Sequence, residues 1–175
     1  MTTSENLHVP MSISPDGQLL AFIESNPTTG LDIWVTSLSD HKAQPFIRTS
    51  FNESVARFSP DGRWLAYISN ESGRNEIYAQ PYPGPGGKRQ ISTEGGTEPV
   101  WNPNGRELFY RSGDKMMAVD IATQPSFSTG KPHVLFEGGY SPTGATIGSS
   151  RARLAAGWSW RRCCQPRSRP RRSPA

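Results

Sequence analysis

The amino-acid sequence predicts an all-β chain: a partial β-propeller of about three four-stranded antiparallel blades. Three observations predict it. A turn phrase recurs at near-constant spacing: Ser14 opens SPDGQLLAFI, Ser59 opens SPDGRWLAYI and Asn102 opens NPNGRELFYR, at steps of 45 and 43 residues. Each step holds four short strand-like runs. No window shows helical periodicity with caps. Four antiparallel strands in about 40–45 residues is the period of a propeller blade, whereas a sandwich of irregular hairpins has no reason to keep register.

The four runs follow in order. The first ends in Ile13, Phe58 or Trp101. The second alternates Leu20 and Phe22, Leu65 and Tyr67, or Leu108 and Tyr110. Its intervening residue is Ala21, Ala66 or Phe109, so both faces are partly apolar, as in a sheet stacked between two others. The third run is built on Ile33-Trp34, Ile77-Tyr78 and Met116-Met117, the fourth on Phe46, Ile91 and Leu135. Trp34, Trp64, Tyr67, Tyr78, Trp101 and Tyr110 recur at strand positions and are expected to form the core between blades.

The turn words join the first run to the second. They are Ser14-Pro15-Asp16-Gly17, Ser59-Pro60-Asp61-Gly62 and Asn102-Pro103-Asn104-Gly105. Proline presets φ near −65° at the second position, and glycine takes the left-handed conformation that closes the hairpin. Serine or asparagine in front is expected to bond to the backbone two residues on, so Asn102 replaces serine without loss of mechanism. These residues are structural.

SPDGRWLAY followed by SNESGRNEIY and PYPGPGGKRQIS, with GGTEPVW and GRELFYR after it, closely resembles the TolB-like (WD40-like) β-propeller repeats. More narrowly it is similar to the propeller found C-terminal to bacterial serine/threonine protein kinase domains. The resemblance covers about residues 5–140. It implies a six-bladed type of propeller, generally outside the cytoplasm in the full-length parent, used for protein or ligand contact. It carries over no catalytic residue.

On this reading the blades run over about 9–49, 54–93 and 97–137, within a segment 1–142. The next turn word is due near Thr146, yet the chain reads GATIGSSRARLAAGWSWRRCCQPRSRPRRSPA. Residues 151–175 carry eight arginines and no acid, which leaves 11 basic against 15 acidic side chains in residues 1–150. The basic pI of about 9.3 therefore belongs to the tail. Residues 143–175 are expected to be disordered, with three origins open: a polyanion-binding tail, an ordinary linker, or a shifted reading frame. The shifted frame is favoured because the change falls inside an expected blade. The chain resembles a piece of a larger propeller, and three blades with open edges are expected to self-associate. As written, it has no signal peptide or apolar span, so it reads as cytoplasmic.

Candidate chemistry is sparse. GGYSPTG approaches a nucleophile elbow at Ser141, but Thr143 stands where glycine is required. GPGGKRQ fails the phosphate-loop spacing at Tyr82 and lacks a hydroxyl after Lys88. His8, His41 and His133 show no metal spacing and no carboxylate in register, and read as solvated loop or edge residues. Asp16 and Asp61 are explained by their turns, and Cys163 and Cys164 complete no zinc site. No metal, cofactor or catalytic residue is therefore assigned, and the chain is expected to be non-enzymatic. The expected function is protein or ligand binding through blade loops, with Arg74 and Tyr82 as contacts, in a sensor or scaffold region attached to a kinase. Two alternatives stand beside it: an accessory gating propeller of a prolyl-oligopeptidase-type serine peptidase, and polyanion binding through the tail. Nucleic acid would be bound only non-specifically.

Overall fold

The computed structural model describes residues 6–84, 86–124 and 126–138. The expectations for Ser141, for the two cysteines and for residues 143–175 lie outside them. Among the described residues there is no helix. None is therefore long and apolar enough to cross a membrane.

The chain is a partial β-propeller. Its first sheet is β1 (His8–Ile13), β2 (Leu19–Asn26), β3 (Gly30–Ser37) and β4 (Ala43–Ile47), in that spatial order. The second is β5 (Glu53–Phe58), β6 (Trp64–Ser69), β7 (Glu76–Pro81) and β8 (Arg89–Gln90). The third holds β9 (Thr97–Trp101), β10 (Glu107–Ser112) and β11 (Lys115–Ala122), with β12 (Ser128–Thr129) and β13 (His133–Glu137) both pairing β11. All pairings are antiparallel.

Side-chain alternation decides how the blades stack. Leu65 and Tyr67 of β6 join Phe58 and Tyr78 in a core with Ala21, Ile23, Ile33, Val35 and Ile47 of the first blade. Ala66 and Ile68, the alternate residues of the same strand, join Ile77, Ala79 and Ile91 in a second core with Trp101, Leu108 and Tyr110 of the third blade. One blade contributes small or β-branched side chains and the next contributes large ones, so the sheets interdigitate. The middle blade is buried on both faces, and five of the six residues of β6 are buried.

The innermost strands are tied sideways as well. Arg57 Nη1 donates to the carbonyl of Met11, the Phe58 amide donates to Ser12 Oγ at 3.2 Å, and Trp101 Nε1 donates to the Arg57 carbonyl at 3.1 Å. Val55 (φ 53°) and Glu98 (φ 57°) occupy the left-handed region, each four residues before its turn word. For a β-branched residue such as Val55 that conformation costs roughly 1–3 kcal/mol. The matching residue of the first blade is Pro10, whose ring forbids positive φ, and its bulge falls at Met11 instead.

The structure departs from the sequence-based expectation in three places. The fourth run of the third blade forms as β13, but an unexpected two-residue strand, β12, precedes it and also pairs with β11. Pro132 has no amide to donate, and Gly130 sits so close that a Cβ there would lie 3.2 Å from Asp120 Cβ. Ile91 is buried but lies just beyond the two residues of β8. His8 does have a carboxylate in register: it pairs with Glu24 across β1 and β2, with Nε2 3.1 Å from Oε2, and its ring meets Phe22 edge-on at 5.1 Å.

Candidate functional site

All three turn words lie on one rim, and two of them share a mechanism atom for atom. Gly17 donates to the Ser14 carbonyl at 2.8 Å and Gly62 to that of Ser59 at 2.9 Å, with φ of 72° and 70°. The serine hydroxyl accepts from the amide five residues on, Leu19 at 2.9 Å or Trp64 at 3.0 Å. It donates to the aspartate two residues on, at 2.5 Å in both turns. That aspartate then accepts from the next amide but one, Gln18 or Arg63, at 3.1 Å. The Ser14 hydroxyl is also the main reason why the Asp16 carboxyl lies below its ordinary value, followed by the Gln18 amide.

The third turn keeps the fold of the backbone and changes the side-chain bonds. Asn102 Oδ1 accepts from the Asn104 amide at 3.3 Å, while its Nδ2 donates to Glu107 Oε2 at 2.6 Å. Serine and asparagine are therefore not equivalent here. Serine reaches back across the hairpin, and only asparagine makes the expected bond two residues on.

Two clefts open on this rim between consecutive blades. The first, about 490 Å³, has Val35 and Gln44–Phe46 on one wall and Gln80 and Tyr82–Gly84 on the other. Tyr82 is held there by ring contacts with Phe46 and Phe58, both at 5.3 Å between centroids. Burial pushes its phenol up, against a hydrogen bond with the Gln44 side chain. The second cleft, about 800 Å³, brings Ser59–Asp61 of one turn opposite Asn104–Arg106 of the next, over Asp120–Gln124. Its lining includes the charged residues Asp61, Asp120 and Arg106 beside Ile121 and Ala122.

Of the two expected contacts, the structure places only Tyr82 in a cleft. Arg74 lies at the opposite end of β7, where Nε donates to Glu76 Oε1 at 2.8 Å and Nη2 to the Thr93 carbonyl. It braces a buried carboxylate and does not share a surface with Tyr82. Among the described residues no group of three or more His, Cys, Asp or Glu converges as a metal site.

That opposite rim holds what the sequence reasoning missed: a row of buried acids. Glu24, Asp32, Glu53 and Glu76 are all buried, the last two at the first residue of their strands and the first two one turn of the pleat further in. A signal was available. Asp32 and Glu76 each precede the Ile-aromatic pair of the third run, 44 residues apart, where the third copy has Lys115. An acid repeated in the strand register, rather than in a turn, calls for a partner.

No family model matches the chain. Residues of this chain are 28% identical over 103 positions to the uncharacterized peptidase YuxL of Bacillus subtilis (strain 168), a match covering 54% of this chain and 16% of that protein. That relative, itself named a peptidase, overturns the expectation of a non-enzymatic chain. Among solved structures, a TolB-type protein of Agrobacterium tumefaciens superposes with a TM-score of 0.63 at 18% identity, over 77% of this chain and 51% of that one. A prolyl endopeptidase, from a study of two such enzymes and their inter-domain dynamics, superposes with a TM-score of 0.53 at 11% identity, over 75% and 22%. The chain thus spans about half of the TolB-type chain and a smaller share of the peptidases. Its fold is that of the TolB-like and prolyl-peptidase β-propeller domains.

Proposed function

We propose that the chain is a β-propeller module of a peptidase-type protein, where it selects and positions peptide segments for a hydrolase domain. The observation that carries this reading is the 28% identity to YuxL over 103 aligned positions. The two clefts supply a physical basis. The Phe46–Tyr82 wall with the Gln44 and Gln80 amides is matched to extended, uncharged peptide. The Asp61, Asp120 and Arg106 groups are matched to charged termini or side chains. Recognition would be a property of the rim, where loops vary while the stacked sheets stay fixed. The narrower expectation of a kinase-attached sensor draws no support from these relatives. The TolB-like repeat favours a parent that works outside the cytoplasm.

The test starts from the gene. Reading all three frames through and beyond codon 145 should reveal a strand–turn–helix nucleophile elbow of G-x-S-x-G type in the same transcription unit. The full-length protein should then cleave short peptides in preference to folded proteins, and Tyr82→Ala should raise KM more than it lowers kcat. A protein-kinase domain upstream, with no hydrolase downstream, would replace this reading with the sensor one.

A further inference from the structure

The two seams between blades are built to one plan, yet only one of them is electrostatically complete. In the seam between the second and third blades, Glu76 has both carboxylate oxygens engaged. Oε1 accepts from Arg74 Nε at 2.8 Å and the Gly95 amide at 2.9 Å, and Oε2 accepts from Ser92 Oγ. At the link between the first and second blades, Asp32 stands in the same repeat position, and a second buried acid, Glu53, lies within reach of its charge. Asp32 Oδ2 accepts from Thr29 Oγ1 at 2.5 Å and lies 3.7 Å from Arg48 Nε. Glu53 Oε1 accepts from Thr49 Oγ1 at 2.8 Å and Ser69 Oγ at 3.2 Å. Asp32 Oδ1 and Glu53 Oε2 are buried without any hydrogen-bond partner.

The two acids belong to one locus. Adjacent residues of the connecting segment, Arg48 and Thr49, reach one acid each. The Asn52 side chain, next to Glu53, accepts from the amide of Leu31, next to Asp32, at 3.1 Å. Asp32 is 0% and Glu53 1% exposed. An unpaired buried carboxylate oxygen is costly, and two in one seam leave a deficit of positive charge that a single guanidinium at 3.7 Å does not make up. A side chain from another molecule cannot reach residues so enclosed, but an ion can.

We propose that this seam binds a small, hard cation between Asp32 Oδ1 and Glu53 Oε2, calcium being the ion its all-oxygen donors suit best. Two carboxylates with hydroxyls close by are a calcium- or magnesium-type donor set, and waters or carbonyls complete such shells. The ion would tie the link Arg48–Glu53 to both blades and so fix the first blade against the second. Burial is the first cause holding the Glu53 carboxyl above its ordinary value, the Thr49 and Ser69 hydroxyls pull it down, and Asp32 and Glu71 push it up. A cation would relieve that repulsion.

The experiment uses the full chain stripped with EDTA and titrated with CaCl₂, by isothermal calorimetry and by thermal unfolding at constant ionic strength. The expected result is saturable binding at one site per chain with a Tm that climbs with calcium concentration. Glu53→Gln is expected to weaken calcium binding roughly tenfold or more, with Asp32→Asn as the second variant should the first fail to fold. Asp61→Asn, in the cleft on the other rim, should bind calcium as the parent does. The proposal is overturned if calcium, magnesium and sodium all leave the unsubstituted chain's Tm unchanged. It is equally overturned if Asp61→Asn abolishes binding while Glu53→Gln keeps it. A metal-independent loss of stability as pH rises through the raised range of Glu53 would mean that the seam holds a proton, and would also overturn it.

Discussion

Replacing Ser59 with alanine tests the reading of the turn word directly. The Ser59 hydroxyl is buried, accepts the Trp64 amide at 3.0 Å and donates to Asp61 Oδ1 at 2.5 Å. The backbone bonds of the turn, Gly62 to the Ser59 carbonyl and Ser59 to the Trp64 carbonyl, would survive the substitution. What is lost is the acceptor for a partly buried amide and one donor to a carboxylate that retains the Arg63 amide. Leaving the amide unsatisfied and removing the second bond should together cost about 2 kcal/mol. For a chain of this size that is a fall in Tm of roughly 4–8 °C. Thermal and urea unfolding followed by circular dichroism would measure it, with Asn102→Ala as comparator. The Asn102 bonds are more exposed, so that variant should lose about 1 kcal/mol. A Ser59→Ala protein within about 0.5 kcal/mol of the parent would refute the argument, as would an Asn102→Ala protein that is the less stable of the two.

Other outcomes follow from the packing and the buried phenols. Leu65→Ala, at a fully buried position between the first two blades, should cost about 2–5 kcal/mol by urea unfolding. Gly96→Ala should destabilise by about 2 kcal/mol, because its Cβ would stand 2.5 Å from Ser92 Oγ and 2.7 Å from Ile77 Cγ1. Gly113→Ala meets nothing and should cost only about 1 kcal/mol, for its φ of 61°. Burial is the first cause holding the phenols of Tyr67, Tyr78, Tyr82 and Tyr110 above their ordinary value. Their folded-state pKa values exceed the unfolded ones, so the stability they support is complete below about pH 10 and is lost as pH rises beyond it. Phenolate absorbance should therefore rise later in the native chain than in urea, and coincident titrations would contradict their burial.

The sequence by itself determined the blade. Its evidence was local: a proline, an aspartate or asparagine and a glycine at fixed offsets specify one turn, and alternation of period two specifies the strands on either side. Those terms act within a dozen residues, so a repeat of three copies displays them three times. It also foreshadowed the large-against-small packing in Leu65, Tyr67 and Ala66, because alternate residues of one strand must face different neighbours. The tertiary structure alone decided what happens between blades. Arg74 and Tyr82 are eight residues apart, but a strand of about 3.3 Å per residue carries them to opposite rims, so Arg74 braces Glu76 while Tyr82 walls a cleft. His8 and Glu24 meet only because a hairpin folds one strand onto the next. Asp32 and Glu53, 21 residues apart, come within reach of each other's charge only in the folded chain. A residue's charge can be read from the chain, whereas the desolvation that makes that charge costly exists only once a second sheet has covered it.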